Sequence, residues 1–133
     1  MAKILVIDDE ALLIRSLGVI LTKAGHTVVT ADNGKVGLEV FTREKPDLVI
    51  TDIVMPEKEG LEVLIELRKE QPPVKIIVIS GGGKQAATTY LRMAKLLGAA
   101  RVLEKPFTID ALSSLVDEVL RDDAPTIPPR PPA

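Results

Sequence analysis

Five short apolar runs constrain this chain more than any other feature: Lys3–Ile7, Thr27–Thr30, Leu48–Thr51, Lys75–Ser80 and Arg101–Leu103. They are rich in Val and Ile and lack strict polar alternation. That is the pattern of strands buried on both faces of a parallel sheet. Segments with helical spacing follow each run. In the first, Leu13, Leu17, Ile20, Leu21 and Ala24 share a face, and Gly25 stands where the helix should end. The second starts at Asp32 or Asn33, either a good N-cap, and carries Val36, Val40 and Phe41 inward. The third spans about Glu59 to Glu70 with Leu61, Leu64 and Ile65 inward, and the fourth about Lys84 to Leu97, stopping at Gly98. The fifth is capped by Thr108 and repeats Ile109, Leu112, Val116 and Val119 or Leu120. Five β-α repeats imply right-handed crossovers and helices on both faces of the sheet. The expected fold class is α/β, a doubly wound three-layer sandwich. Periodicity alone does not select its strand order.

A length of 133 residues fits one domain, here residues 1–121, with a proline-rich tail over 122–133. The tail has almost nothing to bury and is expected to be a flexible linker or end. Its PxxP-like spacing, Pro125 to Pro128 and Pro128 to Pro131, also suits an aromatic docking groove. The formal net charge of -2 argues against direct nucleic-acid binding, which needs a basic surface. Cysteine is absent, which excludes thiolate metal sites and cysteine nucleophiles. The first apolar run stops at Asp8, too soon for a signal peptide, and no run approaches the roughly 20 apolar residues of a membrane span. The expected location is the cytoplasm.

Ligand sites in open parallel sheets form at the carboxyl ends of the strands. The first run ends in Asp8, Asp9 and Glu10, and the third in Asp52. The fourth ends in Ser80 and is followed by Gly81, Gly82 and Gly83, and the fifth ends in Glu104, Lys105 and Pro106. Any one of these alone serves as an N-cap, a turn residue or a surface charge. Together they send acids, a hydroxyl and an ammonium to one rim. Clustered carboxylates raise one another's pKa unless a cation compensates. Mg2+ does so with one or two carboxylates, waters and a phosphate. A carboxylate beside such an ion can itself attack phosphorus and form an aspartyl phosphate.

The segments that carry this cluster resemble the receiver domains of bacterial-type response regulators. Ile4-Leu-Val-Ile-Asp-Asp-Glu10 looks like the family's opening, and Asp47 to Gly60 like its phosphoacceptor region. Asp52, Met55, Pro56 and Gly60 match Asp-x-x-Met-Pro-x-x-x-Gly, while Ile76 to Ser80 and Glu104-Lys-Pro-Phe107 match the last two motifs. The resemblance covers residues 2–121. It implies a flavodoxin-like (βα)5 fold with a parallel five-stranded sheet of order 2-1-3-4-5. It implies that Asp52 takes a phosphoryl group from a histidine kinase or phosphotransfer protein. Asp9, Asp52 and the backbone carbonyl of Val54 would bind Mg2+, with Asp8 helping through water or a second contact. Ser80 and Lys105 would bind the phosphoryl group, and the Lys105–Pro106 bond is expected to be cis. Glu10 reads as a first-turn helix acid. A homodimer through the fourth and fifth helical segments and the strand between them is common in the family.

Three features depart from the family pattern. Val102 stands where a switch aromatic commonly precedes the lysine by three residues, so the aromatic readout is missing or replaced. Gly81, Gly82 and Gly83 give unusual backbone freedom after the hydroxyl, as a switch loop or a permissive turn. Val54 and Gly82 occupy positions that influence autodephosphorylation, and neither side chain can orient a water. A long-lived phosphorylated state is therefore expected. Gly83-Lys84-Gln85 fails the P-loop pattern, and His26, away from the cluster, reads as a solvated loop residue.

Two alternatives compete with a signalling switch. A haloacid-dehalogenase-like phosphatase needs Asp-x-Asp after the first strand, which Asp8-Asp9-Glu10 does not supply. An unphosphorylated receiver-like interaction module usually lacks part of the acid, hydroxyl and lysine set, which is complete here.

Overall fold

The fold is given by a computed structural model that describes residues 2–52, 60–69, 74–80 and 101–121. Its strands are β1 (Lys3–Ile7), β2 (Thr27–Ala31), β3 (Leu48–Asp52), β4 (Lys75–Ser80) and β5 (Arg101–Glu104). Its helices are α1 (Ala11–Lys23), α2 (Gly34–Glu44), α3 (Gly60–Arg68) and α4 (Ile109–Arg121). All strand pairs are parallel, and the order is β2-β1-β3-β4-β5. The helix expected over 84–97, the glycines 81–83, Val54 and the tail from 122 lie outside the described residues.

The Val/Ile runs make this sheet because each central strand is covered on both sides. Ile4, Leu5, Val6 and Ile7 are all fully buried. Side chains alternate across a strand, so Ile4 and Val6 pack with Leu17 and Leu21 of α1 and with Leu112, Val116 and Val119 of α4. Leu5 and Ile7 pack on the other face with Val40 and Phe41 of α2 and Val63 and Leu67 of α3. Burying one such aliphatic side chain stabilises by about 1.5–3 kcal/mol. One helix approaches so closely that only glycine fits: a Cβ on Gly37 of α2 would stand 2.5 Å from Cδ1 of Ile7.

Local signals fix the element ends. Asn33 is the N-cap of α2, with its side chain accepting from the Val36 N–H at 2.8 Å. Thr108 accepts from the Ala111 N–H at 3.0 Å at the start of α4. Gly25 ends α1 with φ 98°, a conformation that costs glycine little. Four expectations need correcting. β2 is an edge strand, and only Ala31 of its five residues is buried. Ile65 and Ile109 are exposed and Val63 and Leu67 of α3 are buried, while the side chains of Leu61 and Leu64 lie outside the described residues. Ala24 caps α1 and is exposed. The His26 ring is half-buried and accepts from the Ala2 N–H at 3.2 Å, tying the chain start to β2. Among the described residues, no helix is long and apolar enough to cross a membrane.

Candidate functional site

β1 is followed by a crossover to β2 on one side and lies against β3 on the other. The strand order reverses there, which opens a crevice at the carboxyl ends of β1 and β3. Beyond Ile7 the chain leaves the sheet, yet Asp8 is fully buried. Its N–H donates to the Ala31 carbonyl at 3.1 Å, and its Oδ1 accepts from the Glu10 N–H at 2.8 Å. This short turn delivers the chain into α1. Oδ2 of Asp8 is buried without a hydrogen-bond partner among the described residues. An unsatisfied buried acceptor costs about 1–3 kcal/mol. Burial pushes the Asp8 carboxyl up from 3.8 to about 6. The Glu10 N–H pulls it down, Asp52 pushes it up, and smaller effects come from Lys105 (down) and Asp9 (up).

Asp9 is exposed, and Asp52 at the end of β3 keeps 14% of its side chain accessible. One carboxylate oxygen from each of Asp8, Asp9 and Asp52 lies within 4.8 Å of the others. Three acids so close, one with an orphaned buried oxygen, form an oxygen-only donor set. That chemistry suits a hard divalent cation such as Mg2+. Lys105 follows β5, with Nζ 3.8 Å from Oδ2 of Asp52 and 3.6 Å from Oε1 of Glu10. The Lys105–Pro106 bond is cis, as expected.

The structure thus brings Asp8, Asp9, Asp52 and Lys105 to one rim. Ser80 ends β4 in register with Glu104, one strand from Asp52, which pairs with Ile79. The side chain of Ser80, the Val54 carbonyl and Gly81, Gly82 and Gly83 fall outside the described residues. Val102 is half-buried and packs against the core beneath α2 and α3. Two features escaped the sequence reading. Glu10 is the N-cap of α1 and makes no side-chain cap bond. Its carboxylate faces Lys105 instead, a contact no local pattern announces. Thr51, read only as the end of an apolar run, carries a buried hydroxyl beside Asp52.

The sequence pattern of the family described as response regulator receiver domain matches residues 4–117. The chain belongs to this family. It is 40% identical over 106 residues to the chemotaxis protein CheY of Thermotoga maritima, covering 79% of this chain and 86% of that one. It is 38% identical over 124 residues to the transcriptional regulatory protein GlrR of Escherichia coli K12, covering 93% of this chain. The receiver chain spans only 27% of the length of GlrR. A receiver domain protein from Clostridium thermocellum superposes with a TM-score of 0.80 at 33% identity, over 91% of this chain and 95% of that one. The receiver family is a family of regulatory domains of two-component systems, and the sheet order found here is the one the resemblance implied.

Proposed function

We propose that this receiver domain is a phosphorylation switch in which Asp52 accepts a phosphoryl group from a histidine kinase or phosphotransfer protein. The observation that supports it is the convergence of Asp8, Asp9 and Asp52 within 4.8 Å, with the Lys105 ammonium 3.8 Å from Asp52. An Asp52 carboxylate oxygen attacks phosphorus while the P–N bond to the donor imidazole breaks. The imidazole nitrogen keeps the electron pair and takes up a proton, leaving an acyl phosphate on Asp52.

Asp9, Asp52 and the Val54 carbonyl would hold Mg2+, and Asp8 would support them from its buried position. The ion would supply charge neutralisation for the transferring phosphoryl group. Lys105 pairs with one phosphoryl oxygen and Ser80 hydrogen-bonds another. The product carries roughly -1.5 to -2 additional charge. That change at the rim biases partner binding. The chain acts on nothing but its own phosphorylation state.

Beryllofluoride, which mimics a phosphoryl group on a carboxylate, tests this directly. With Mg2+, amide NMR shifts should appear around β1, β3 and β5 in the natural protein and be absent in Asp52→Ala. An unresponsive natural protein would support the interaction-module reading. Steady hydrolysis of phosphate esters would support a phosphatase.

A further inference from the structure

Thr51 is a polar exception inside an apolar strand. Its neighbours along β3 are Leu48, Val49 and Ile50, all fully buried. Its register partners on the two flanking strands are Ile7 of β1 and Val78 of β4, also fully buried. Thr51 is itself completely inaccessible. Valine has the same shape and would suit such surroundings better, because a buried hydroxyl must recover its hydration through a hydrogen bond. The Thr51 hydroxyl donates to the backbone carbonyl of Asp52 at 3.1 Å.

The place of that bond in the sheet gives it meaning. β1 pairs with β3 only as far as Ile7 and Thr51. β3 continues one residue further, where Asp52 is in register with Ile79 of β4. The acceptor belongs to the last residue of β3, at the carboxyl edge of the sheet. A donor fixed by its own burial holds the peptide that follows the Asp52 Cα. Fixing that carbonyl restrains the backbone of Asp52, from which the acceptor side chain projects. Reactive groups must be held within about 0.5 Å of productive geometry, and a displacement of about 1 Å can cost 100-fold in rate.

We infer that Thr51 is a positioning residue for phosphoryl transfer, its hydroxyl fixing the Asp52 peptide and so aiming the acceptor carboxylate. This rests on the reading of Asp52 as the acceptor. The effect is steric and directional, and it needs no contact between Thr51 and the phosphoryl group.

The test compares the natural protein, Thr51→Val and Thr51→Ser with labelled acetyl phosphate and Mg2+, recording the initial rate of label incorporation and the urea midpoint. Thr51→Val keeps the shape and removes the hydroxyl. Its rate should fall by about three- to tenfold, with a midpoint equal to or above the natural one. Thr51→Ser restores the donor and should recover the rate to within about twofold of the natural protein, whatever its midpoint. A Thr51→Val rate equal to the natural one overturns the inference while leaving the acceptor assignment intact. So does a slow Thr51→Ser, because shape and not the hydroxyl would then matter. A natural protein that takes no label overturns the acceptor assignment and this inference with it.

Discussion

The ammonium of Lys105 lies between two carboxylates, 3.8 Å from Asp52 and 3.6 Å from Glu10. A third of the Lys105 side chain is accessible, so water screens both contacts. Pairs of this kind contribute about 0–1 kcal/mol. The lysine is held by charge balance at the rim and not by a tight bond to either acid.

Removing that charge has opposite effects on the ion and on the phosphoryl group. Lys105→Ala deletes a cation beside the acidic cluster, and so deletes its repulsion of Mg2+. The Mg2+ Kd, measured by titration calorimetry, should drop by about two- to fivefold, the equivalent of a screened charge pair. Beryllofluoride binding in the same variant should weaken, because one partner for the phosphoryl oxygens is gone. Weaker Mg2+ binding in Lys105→Ala would contradict this arrangement.

Asp8 predicts an inverted pH dependence of stability. Its carboxyl is raised from 3.8 to about 6 in the fold, chiefly by burial. A raised carboxyl is protonated more readily in the folded chain than in the unfolded one. The folded state therefore binds the extra proton between about 4 and 6, and stability from this group falls as pH rises through that window. The penalty is complete above about 6 and is on the order of 3 kcal/mol. Asp8→Asn keeps an acceptor for the Glu10 N–H and removes the charge. Without Mg2+ it should unfold at higher urea than the natural protein at pH 7.5, and the difference should shrink towards pH 4. Saturating Mg2+ should stabilise the natural protein more than the variant.

Gly37 predicts a packing defect close to the site. A methyl there would meet the Ile7 side chain, which is fully buried and cannot swing into solvent. Gly37→Ala should cost about 1–3 kcal/mol by urea denaturation, in spite of alanine's better helix propensity. Ile7 immediately precedes Asp8, so weaker Mg2+ binding should accompany the loss. A variant as stable as the natural protein would show that α2 can shift freely on the sheet.

Much of the architecture was legible because the deciding signals are local. Val/Ile runs mark the strands, Asn33 and Thr108 mark helix starts, and Gly25 marks a helix end. What escaped depends on neighbours distant in sequence. The run Thr27–Thr30 resembles a buried strand, and only the strand order makes it an edge. Ile65 and Ile109 lie on helices whose periodicity admits more than one inward face, and packing chose Val63, Leu67, Leu112 and Val116. At the site, the acids and the lysine were legible from their motifs. The burial of Asp8, the turn of Glu10 towards Lys105 and the hydroxyl bond of Thr51 were not, since each depends on the position of a single atom after folding.

The family resemblance implies that positions 54 and 82 influence the lifetime of the phosphorylated state. Val54 and Gly82 offer no side-chain hydrogen bond to an attacking water. Label on the purified protein, followed after removal of the donor, should persist well beyond seconds. Replacing Val54 with a polar residue such as Asn should shorten it. Decay within seconds in the natural protein would contradict the assignment of these two positions.

The most direct measurement is intact-mass spectrometry after incubation with acetyl phosphate, with and without Mg2+, on the natural protein and on Asp52→Asn. One added phosphoryl group should appear on the natural protein with Mg2+, disappear when the metal is chelated before the donor is added, and be absent from Asp52→Asn. A natural protein of unchanged mass, or an equal gain on Asp52→Asn, would contradict the central claim that Asp52 is the acceptor.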